Sequence, residues 1–314
     1  MRRVSEWAAL VLAAPLLLGA DEKTDLNGFD VDGATVPRQA IVAGGPGRDG
    51  IRSVDAPEFA PAGEASWVAA ETPVLGVEAG SEARIYPVHL LEYHQIVNDV
   101  LGGVPVAITY DPLSAAPLAF RRTVAGRTLS FGVSGLLYNS NFLMYDRETE
   151  SLWSQFTGAA IAGPLAGKTL ERIRVRQETT AARLAAHPGS GVLTRPDRFR
   201  IDYGYSPFSA YMIADTIPFP VNAEDRRYHA KELVVGARVN GKTRAYLGSL
   251  VTKAGGSIED EFEGRAIRVR YDPEAAVFTW DAPDDVEITE AYWFAWKAFH
   301  PETRIWSDSK PRAE

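Results

Sequence analysis

A weak internal repeat is the feature that most constrains what this chain can fold into. Residues 74–86 match residues 234–246 at an offset of 160, and residues 103–112 match residues 264–273 at an offset of 161. A repeated stretch predicts a repeated structural unit, so it is considered before single strands and helices are assigned. We therefore predict two related lobes that arose by duplication.

The second copy is shorter than the first. The pair His187-Pro188, which follows a predicted helix, matches His300-Pro301 at an offset of only 113. About 48 residues of the first copy, roughly 130–177, therefore have no counterpart in the second. This comparison separates a predicted scaffold, which both copies share, from candidates for function, which only the first copy has.

Four residues fall on the scaffold side because they recur in the second copy. They are Arg84, Tyr86, Asp111 and Pro112. Three residues outside the insert are candidates for function, because the match at an offset of 160 pairs them with residues of different chemistry. They are His94, Asn98 and Asp99, and their predicted counterparts are Ala254, Ile258 and Glu259.

The apolar pattern predicts a β-rich α+β fold. Short β-branched and aromatic runs separated by turn residues are typical of strands joined by hairpins. Leu90, His94, Val97 and Leu101 follow at helical spacing after Pro87, which predicts one helix with His94 and Asn98 on the same face. The predicted architecture is two lobes of mostly antiparallel strands, each with packed helices.

The chain is predicted to begin with an export signal. Arg2-Arg3 precede an apolar stretch that ends at Ala20, which is typical of a cleaved signal peptide. A segment retained as an anchor is the alternative. The predicted division is a signal peptide over 1–20, a flexible leader over 21–48, a first lobe over 49–195 with the insert 130–177, a packed linker over 196–232 and a second lobe over 233–308.

Composition excludes several classes of function. The chain has no cysteine, which excludes a disulfide framework, a thiol nucleophile and a Cys-zinc site. Its net charge of −8 argues against a nucleic-acid partner, because phosphate binding requires clustered Lys and Arg. No second apolar segment reaches membrane-spanning length. We therefore predict an exported protein, periplasmic or extracellular, with no stable membrane span after signal cleavage.

His94 is the most informative single residue. Its place on an apolar face predicts burial, either as a structural histidine bonded to a carbonyl or carboxylate, or as a general base or ligand. His89 lies five residues earlier, about 140° around a helix, so the two rings are not expected to share a metal. No cofactor is predicted.

The insert holds a polar and aromatic group that suits a small polar ligand. With Asn98, the candidate ligand-binding residues are Tyr138, Asn139, Asp146, Trp153 and Gln155. Asp146 and Glu148 could act as an acid/base pair. The alternative is a β-hairpin with Asp146 to Thr149 at its turn.

Several motifs resemble the bacterial domain of unknown function 3179 (DUF3179). They lie in the family's order over roughly 48–195, with looser similarity onward to Trp306. They are Tyr93-His94-Gln95-Ile96-Val97-Asn98-Asp99, Gly132-Val133-Ser134-Gly135-Leu136-Leu137-Tyr138-Asn139-Ser140, Tyr145-Asp146-Arg147-Glu148-Thr149 and Leu152-Trp153-Ser154-Gln155. The resemblance implies no established activity.

The chain departs from the family at one motif. Members typically carry Cys-Pro-Leu-Cys-Gly where this chain has Asp111-Pro112-Leu113-Ser114-Ala115. Two thiolates near a histidine would suit a soft metal or a redox step, and both are missing here. No metal is favoured, and the weak candidate ligands are His94 and Asp111.

The sequence leaves three functions open. The first is a non-catalytic exported domain that binds a small polar ligand or a protein partner through the first lobe. The second is a hydrolase or a residual metal-dependent enzyme that uses His94. The third is a purely structural role for these polar groups.

Overall fold

The computed structural model describes residues 25–309, with the side chains of residues 308 and 309 left out. The predicted signal peptide, 1–20, lies outside the described residues. As predicted, the described chain is β-rich, with mostly antiparallel strands and few, short helices. No helix within 25–309 is long and apolar enough to span a bilayer.

The strands are β1 (Asp25–Leu26), β2 (Phe29–Asp30), β3 (Ile41–Ala43), β4 (Phe59–Pro61), β5 (Pro73–Ala79), β6 (Glu82–Pro87), β7 (Ile96–Leu101), β8 (Val104–Asp111), β9 (Ala116–Arg121), β10 (Thr123–Val124), β11 (Arg127–Thr128), β12 (Phe131–Tyr138), β13 (Asn141–Asp146), β14 (Leu152–Ser154), β15 (Ala160–Ala162), β16 (Arg172–Ile173), β17 (Val175–Thr179), β18 (Gly191–Leu193), β19 (Leu233–Val239), β20 (Lys242–Leu247), β21 (Ser257–Phe262), β22 (Arg265–Asp272), β23 (Val277–Asp281), β24 (Glu287–Tyr292) and β25 (Arg304–Ile305). The α-helices are α1 (Val88–His94), α2 (Thr180–Ala186), α3 (Ser209–Ile213), α4 (Gly248–Lys253) and α5 (Trp293–Phe299).

The segments 49–195 and 233–308, for which we keep the names first lobe and second lobe, contain sheets of the same topology. The first lobe has the order β17-β5-β6-β18, extended by β4, and the second has β24-β19-β20-β25. In both sheets the first two pairs are antiparallel and the third is parallel. Each lobe also has a three-stranded meander, β7-β8-β9 in the first and β21-β22-β23 in the second.

The insert forms a sheet of its own. Its strands follow the order β15-β14-β13-β12, and β3 adds to the outer edge of β12. Phe29, Val31 and Ile41 are buried against it. The predicted flexible leader over 21–48 is therefore packed in its described part, because its apolar side chains cover one face of the insert sheet.

The prediction of one helix that runs from Pro87 through Leu101 is wrong. Helix α1 ends at His94, where Gln95 takes a left-handed conformation with φ 57°. The chain continues as strand β7, which pairs with β8. The β-branched run from Ile96 favours a strand, and the helical spacing of the apolar residues arose from two elements in sequence.

The lobes share a core and a row of arginine contacts. Trp153 and Phe156 of the insert pack in the same cluster as Trp293 and Trp296 of the second lobe. Three alternate arginines in and between β16 and β17 donate hydrogen bonds to oxygens of the second lobe. Arg172 donates to Thr289 Oγ1 at 2.8 Å, Arg174 to Ala282 O at 3.1 Å and Arg176 to Trp280 O at 2.7 Å. The linker 196–232 is packed, as Tyr211 donates to Leu113 O at 2.7 Å.

Candidate functional site

The position of the family's cysteine motif is a closed polar cluster. Asp111 ends β8 and is fully buried. Its Oδ2 accepts hydrogen bonds from Ser114 Oγ at 2.6 Å and from Asn141 Nδ2 at 2.8 Å, and its Oδ1 accepts from Leu113 N at 3.2 Å. Burial raises the pKa of Asp111 to about 6, although these hydrogen bonds oppose the rise.

The cluster continues into the insert through two amide side chains. Asn141 Nδ2 also donates to Gln155 Oε1 at 2.7 Å, and Asn141 Oδ1 accepts from Phe156 N at 3.1 Å. Gln155 Nε2 donates to Thr109 Oγ1 at 2.9 Å and to Ala116 O at 3.0 Å. We call Asp111, Ser114, Asn141 and Gln155 the Asp111 cluster. The hydrogen bonds of this cluster join the insert to β8 and β9. Because all four side chains are buried, the cluster presents no free polar atom to solvent.

The second lobe repeats only one part of this arrangement. Asp272 Oδ1 accepts from Glu274 N at 2.9 Å, just as Asp111 Oδ1 accepts from Leu113 N. Asp272 is exposed, and Ala275 stands at the place of Ser114. The turn contact is thus common to both lobes, whereas the contacts to Ser114 and Asn141 belong to the first lobe alone.

His94 is held at both ring nitrogens. Nδ1 lies 2.7 Å from Arg52 O, Nε2 lies 2.7 Å from Tyr203 Oη, and Phe199 packs on the ring. The ring is buried, and desolvation lowers the pKa of His94. His94 and Asp111, the weak metal candidates, share no bonding partner. Within 25–309 no three His, Asp or Glu side chains form a group that could hold a metal.

Asn98 lies on β7 rather than on a helix face with His94. Its Nδ2 donates to Asp55 Oδ1 at 2.7 Å and to Phe131 O at 2.8 Å, and its Oδ1 accepts from Phe131 N at 2.9 Å. These bonds attach the start of β12 to β7. Asn98 is buried, so its polar atoms serve the junction between the insert and the scaffold.

Asp99 belongs to a group that both lobes contain. It accepts from Arg84 Nη1 at 2.6 Å and from Tyr86 Oη at 2.7 Å. In the second lobe Asp260 accepts from Arg244 Nη1 at 2.7 Å and from Tyr246 Oη at 2.9 Å. The predicted counterpart of Asp99, Glu259, is therefore wrong by one residue, because the helix and turn before β21, residues 248–256, are together one residue longer than the helix and turn before β7, residues 88–95.

Asp146 organises a tight turn inside the insert. Its Oδ1 accepts from Thr149 N at 2.6 Å, and its Oδ2 accepts from the indole Nε1 of Trp153 at 2.9 Å. Both Asp146 and Trp153 are fully buried. Glu148 instead is exposed and accepts from Ser130 N at 2.8 Å, so the two carboxylates point to different partners.

Tyr138 and Asn139 hold the linker against the insert. Asn139 is buried, accepts from Asn222 N at 2.8 Å and donates to Ala298 O at 3.3 Å. The half-buried Tyr138 accepts from Asn222 Nδ2 at 3.1 Å. Of the residues nominated from the sequence, Glu148 is exposed and Tyr138 is half-buried, whereas the others are buried.

The sequence interpretation missed Asn141 and Glu290. Asn141 is the first residue of β13, directly after the motif that ends at Ser140. Glu290 on β24 accepts from Trp280 Nε1 at 3.0 Å. Burial raises the pKa of Glu290 to about 7. No signal in the sequence distinguished this glutamate from an exposed one.

Comparison with known proteins identifies the family but no activity. A family model described as a protein of unknown function, DUF3179, matches residues 48–283. No curated protein matches. No solved structure matches.

Proposed function

The chain belongs to the DUF3179 family, and we propose that it is a non-catalytic binding protein. One observation carries this proposal. Apart from Tyr138 and Glu148, the nominated side chains are buried and make hydrogen bonds within the fold. Glu148 is exposed, but Asp146, its predicted acid/base partner, is buried and bonded to Trp153. A general base or nucleophile must reach a substrate, and these residues do not offer a free group.

In this proposal six of the nominated side chains stabilise the fold and do not contact a ligand. They are His94, Asn98, Asn139, Asp146, Trp153 and Gln155. They fix the insert and the linker against the scaffold, which leaves binding to exposed groups of the lobes. Tyr138 remains a candidate contact for a small polar ligand or a protein partner. A hydrolytic or metal-dependent role for His94 would require Nε2 to leave Tyr203 Oη, whereas Nδ1 could keep its hydrogen bond to Arg52 O.

We further propose that the protein is exported and that its lobes arose by duplication. Export rests on the N-terminal pattern of Arg2-Arg3 and an apolar stretch. The matching sheet topologies and the matching Arg-Tyr-Asp groups support duplication. Intact-mass measurement of exported protein that begins at Asp21 would support cleavage, whereas the full-length mass in the membrane fraction would support an anchor.

A ligand screen with a catalytic control tests the binding function. Wild type and His94→Gln are screened by thermal shift against small sugars, polyols and amino acids, with product analysis on the same mixtures. A ligand present at 100 times its Kd stabilises the folded protein by about 2.7 kcal/mol. We expect a common ligand for both proteins and no product. Product formed by wild type and lost in folded His94→Gln would contradict the proposal.

A further inference from the structure

The two meanders differ at one edge. In the first lobe the outer edge of β7 is covered by the chain itself. Val54 N donates to Ile96 O at 2.9 Å, and Asn98 N donates to Val54 O at 2.8 Å, as in a parallel strand pair. Val100 N, the next outward group, donates to Asp99 Oδ1 at 2.7 Å. The outward N–H groups of Asn98 and Val100 thus both have a partner.

The corresponding edge of β21 is open. Strand β21 pairs only with β22, through a hairpin that closes with Phe262 opposite Arg265. In an antiparallel pair the residues alternate between bonding the neighbour and facing outward. Counting from Phe262, the outward residues are Ser257, Glu259 and Glu261. Their backbone groups make no hydrogen bond to any other residue within 25–309.

The segment that corresponds in the second copy to the one around Val54 does not cover the edge of β21. Val54 corresponds in sequence to Ala214, which lies next to helix α3 in the packed linker. Ala214 O accepts from Lys231 Nζ at 2.6 Å, and the nearby Tyr211 donates to Leu113 O of the first lobe. The linker therefore runs toward the first lobe and leaves β21 uncovered.

A cleft of about 850 Å³ extends over all three strands of the second-lobe meander. Besides Glu259, Asp260 and Glu261 of β21, its lining includes residues of β22 and β23, Arg176 and Trp306. Its arginines already have partners, since Arg176 bonds Trp280 O and Arg268 pairs with Glu259 at 2.6 Å. Glu261 is exposed and has no ion pair with any residue of 25–309. The outer edge of β21 thus has, at Glu261, an unpaired acidic side chain beside backbone groups that could pair with another strand.

We propose that the outer edge of β21 is a strand-addition site for an extended basic segment of a partner protein, which pairs in parallel as Val54 does on β7. Backbone hydrogen bonds to Ser257 O and Glu259 N supply the pairing, as in other complexes in which a peptide adds to a sheet edge. Glu261 lies on the exposed face without an ion pair, so a Lys or Arg side chain of the partner would meet it there. Glu259, two residues earlier on the same face, already pairs with Arg268. This inference deepens the proposed binding function and rests on it.

A second copy of the same strand is a poorer occupant. Charged side chains on an edge strand normally prevent pairing with like strands, and two β21 edges would bring glutamates opposite one another. A basic segment would instead be attracted to these glutamates. The acidic edge of β21 therefore disfavours pairing with a second copy of this chain and favours pairing with a positively charged peptide.

Fluorescence anisotropy on the full chain tests this assignment. The probe is the labelled peptide acetyl-Lys-Thr-Lys-Val-Lys-Thr-Lys-amide, and its analogue with Glu in place of Lys is the control. We expect saturable binding of the basic peptide, at least about tenfold weaker binding of the acidic one, and loss of affinity as salt is raised. Equal binding of both peptides, or binding of neither, would overturn the proposal.

Two variants locate the site. Glu259→Pro removes an outward N–H and leaves the β21–β22 bonds intact, so it should abolish peptide binding at an unchanged melting temperature. Glu261→Lys should weaken binding at least about tenfold and covers the case in which the proline variant unfolds. The matched control Asp272→Asn alters an exposed acid at the other end of the meander and should bind as wild type. Undiminished binding by both edge variants would refute the site.

Two further readouts separate the alternatives. Hydrogen exchange on the peptide complex should slow at residues 257–261 and remain unchanged at 96–100. Sedimentation of the protein alone should show a monomer, and a dimer that Glu259→Pro dissolves would contradict the assignment in favour of a second copy. If the peptide fails while the small-ligand screen succeeds, only this inference falls and the proposed binding function stands.

Discussion

The carboxylate of Asp111 accepts a hydrogen bond from the side-chain amide of Asn141 at 2.8 Å, and both side chains are completely buried. This bond joins the end of β8 to the first residue of β13, across the boundary between scaffold and insert. Asp111 therefore has two roles. It caps a turn that both lobes share, and it anchors the segment that only the first lobe has.

The pH dependence of stability should report on Asp111. Burial raises its pKa to about 6 in the folded protein, above its usual value of about 3.9 in the unfolded chain. The contribution of Asp111 to stability is therefore present below about pH 4 and is lost as the pH rises through 6, by on the order of 3 kcal/mol. Urea unfolding of wild type and Asp111→Asn between pH 4 and 7.5 should show a smaller decline in the variant. Parallel curves would contradict the raised pKa.

Glu290, like Asp111, should make the protein less stable as the pH rises, but over a higher pH range. Its pKa is raised to about 7 by burial, so its contribution to stability is lost as the pH rises from about 4.5 through 7. Glu290→Gln keeps an acceptor for Trp280 Nε1 and should flatten the unfolding free energy between pH 5 and 8. The matched control is Glu287→Gln, an exposed position on the same strand, which should retain the wild-type slope.

The two Arg-Tyr-Asp groups should have comparable energetic roles. Asp99→Asn and Asp260→Asn each remove a charged acceptor from an arginine and a tyrosine, and each should cost about 2–4 kcal/mol of unfolding free energy. The Asp99→Asn substitution should reduce the unfolding free energy more than Asp260→Asn, because Asp99 also accepts a hydrogen bond from Val100 N. The control Glu259→Gln should change stability by less than about 0.5 kcal/mol. Wild-type stability of Asp260→Asn would show that the structural match between Asp99 and Asp260 has no energetic counterpart.

His94 should destabilise the fold when it is protonated. Burial lowers its pKa, so the stability associated with the neutral ring is present above about pH 6.5 and is lost as the pH falls below that value. His94→Gln should be less stable than wild type at pH 8 but should lose less stability between pH 7 and 5. Melting temperatures measured across this range test the sign, and a steeper decline in the variant would be inconsistent with it.

The repeat was the most reliable signal in the sequence. Matches such as Arg84 with Arg244 and Tyr86 with Tyr246 pair residues that occupy equivalent sheet positions. The match failed at Asp99, because the offset of 160 was carried across a helix and turn that are together one residue longer before Ser257 than before Ile96. An extra residue in such a segment does not change the hydrophobic pattern, so the pattern alone did not locate it.

The site was harder to predict for a different reason. Asn98, Asp146 and Gln155 are polar, and their residue types suit ligand contact as well as internal bonding. Their partners, such as Phe131 for Asn98 and Thr109 for Gln155, lie 33 and 46 residues away in the chain. Spacing in the sequence does not reveal such long-range bonds, so burial of these side chains could not be inferred from it.

A double-mutant cycle between Asp111 and Asn141 tests the central claim most directly. Urea unfolding free energies are measured for Asp111→Ala, Asn141→Ala and the double variant, with Asp272→Ala as the exposed turn control. If the Asp111 cluster holds the insert to the scaffold, the two changes should couple by at least about 1 kcal/mol, and Asp272→Ala should cost much less than Asp111→Ala. Additivity within about 0.5 kcal/mol would contradict a structural role for the cluster.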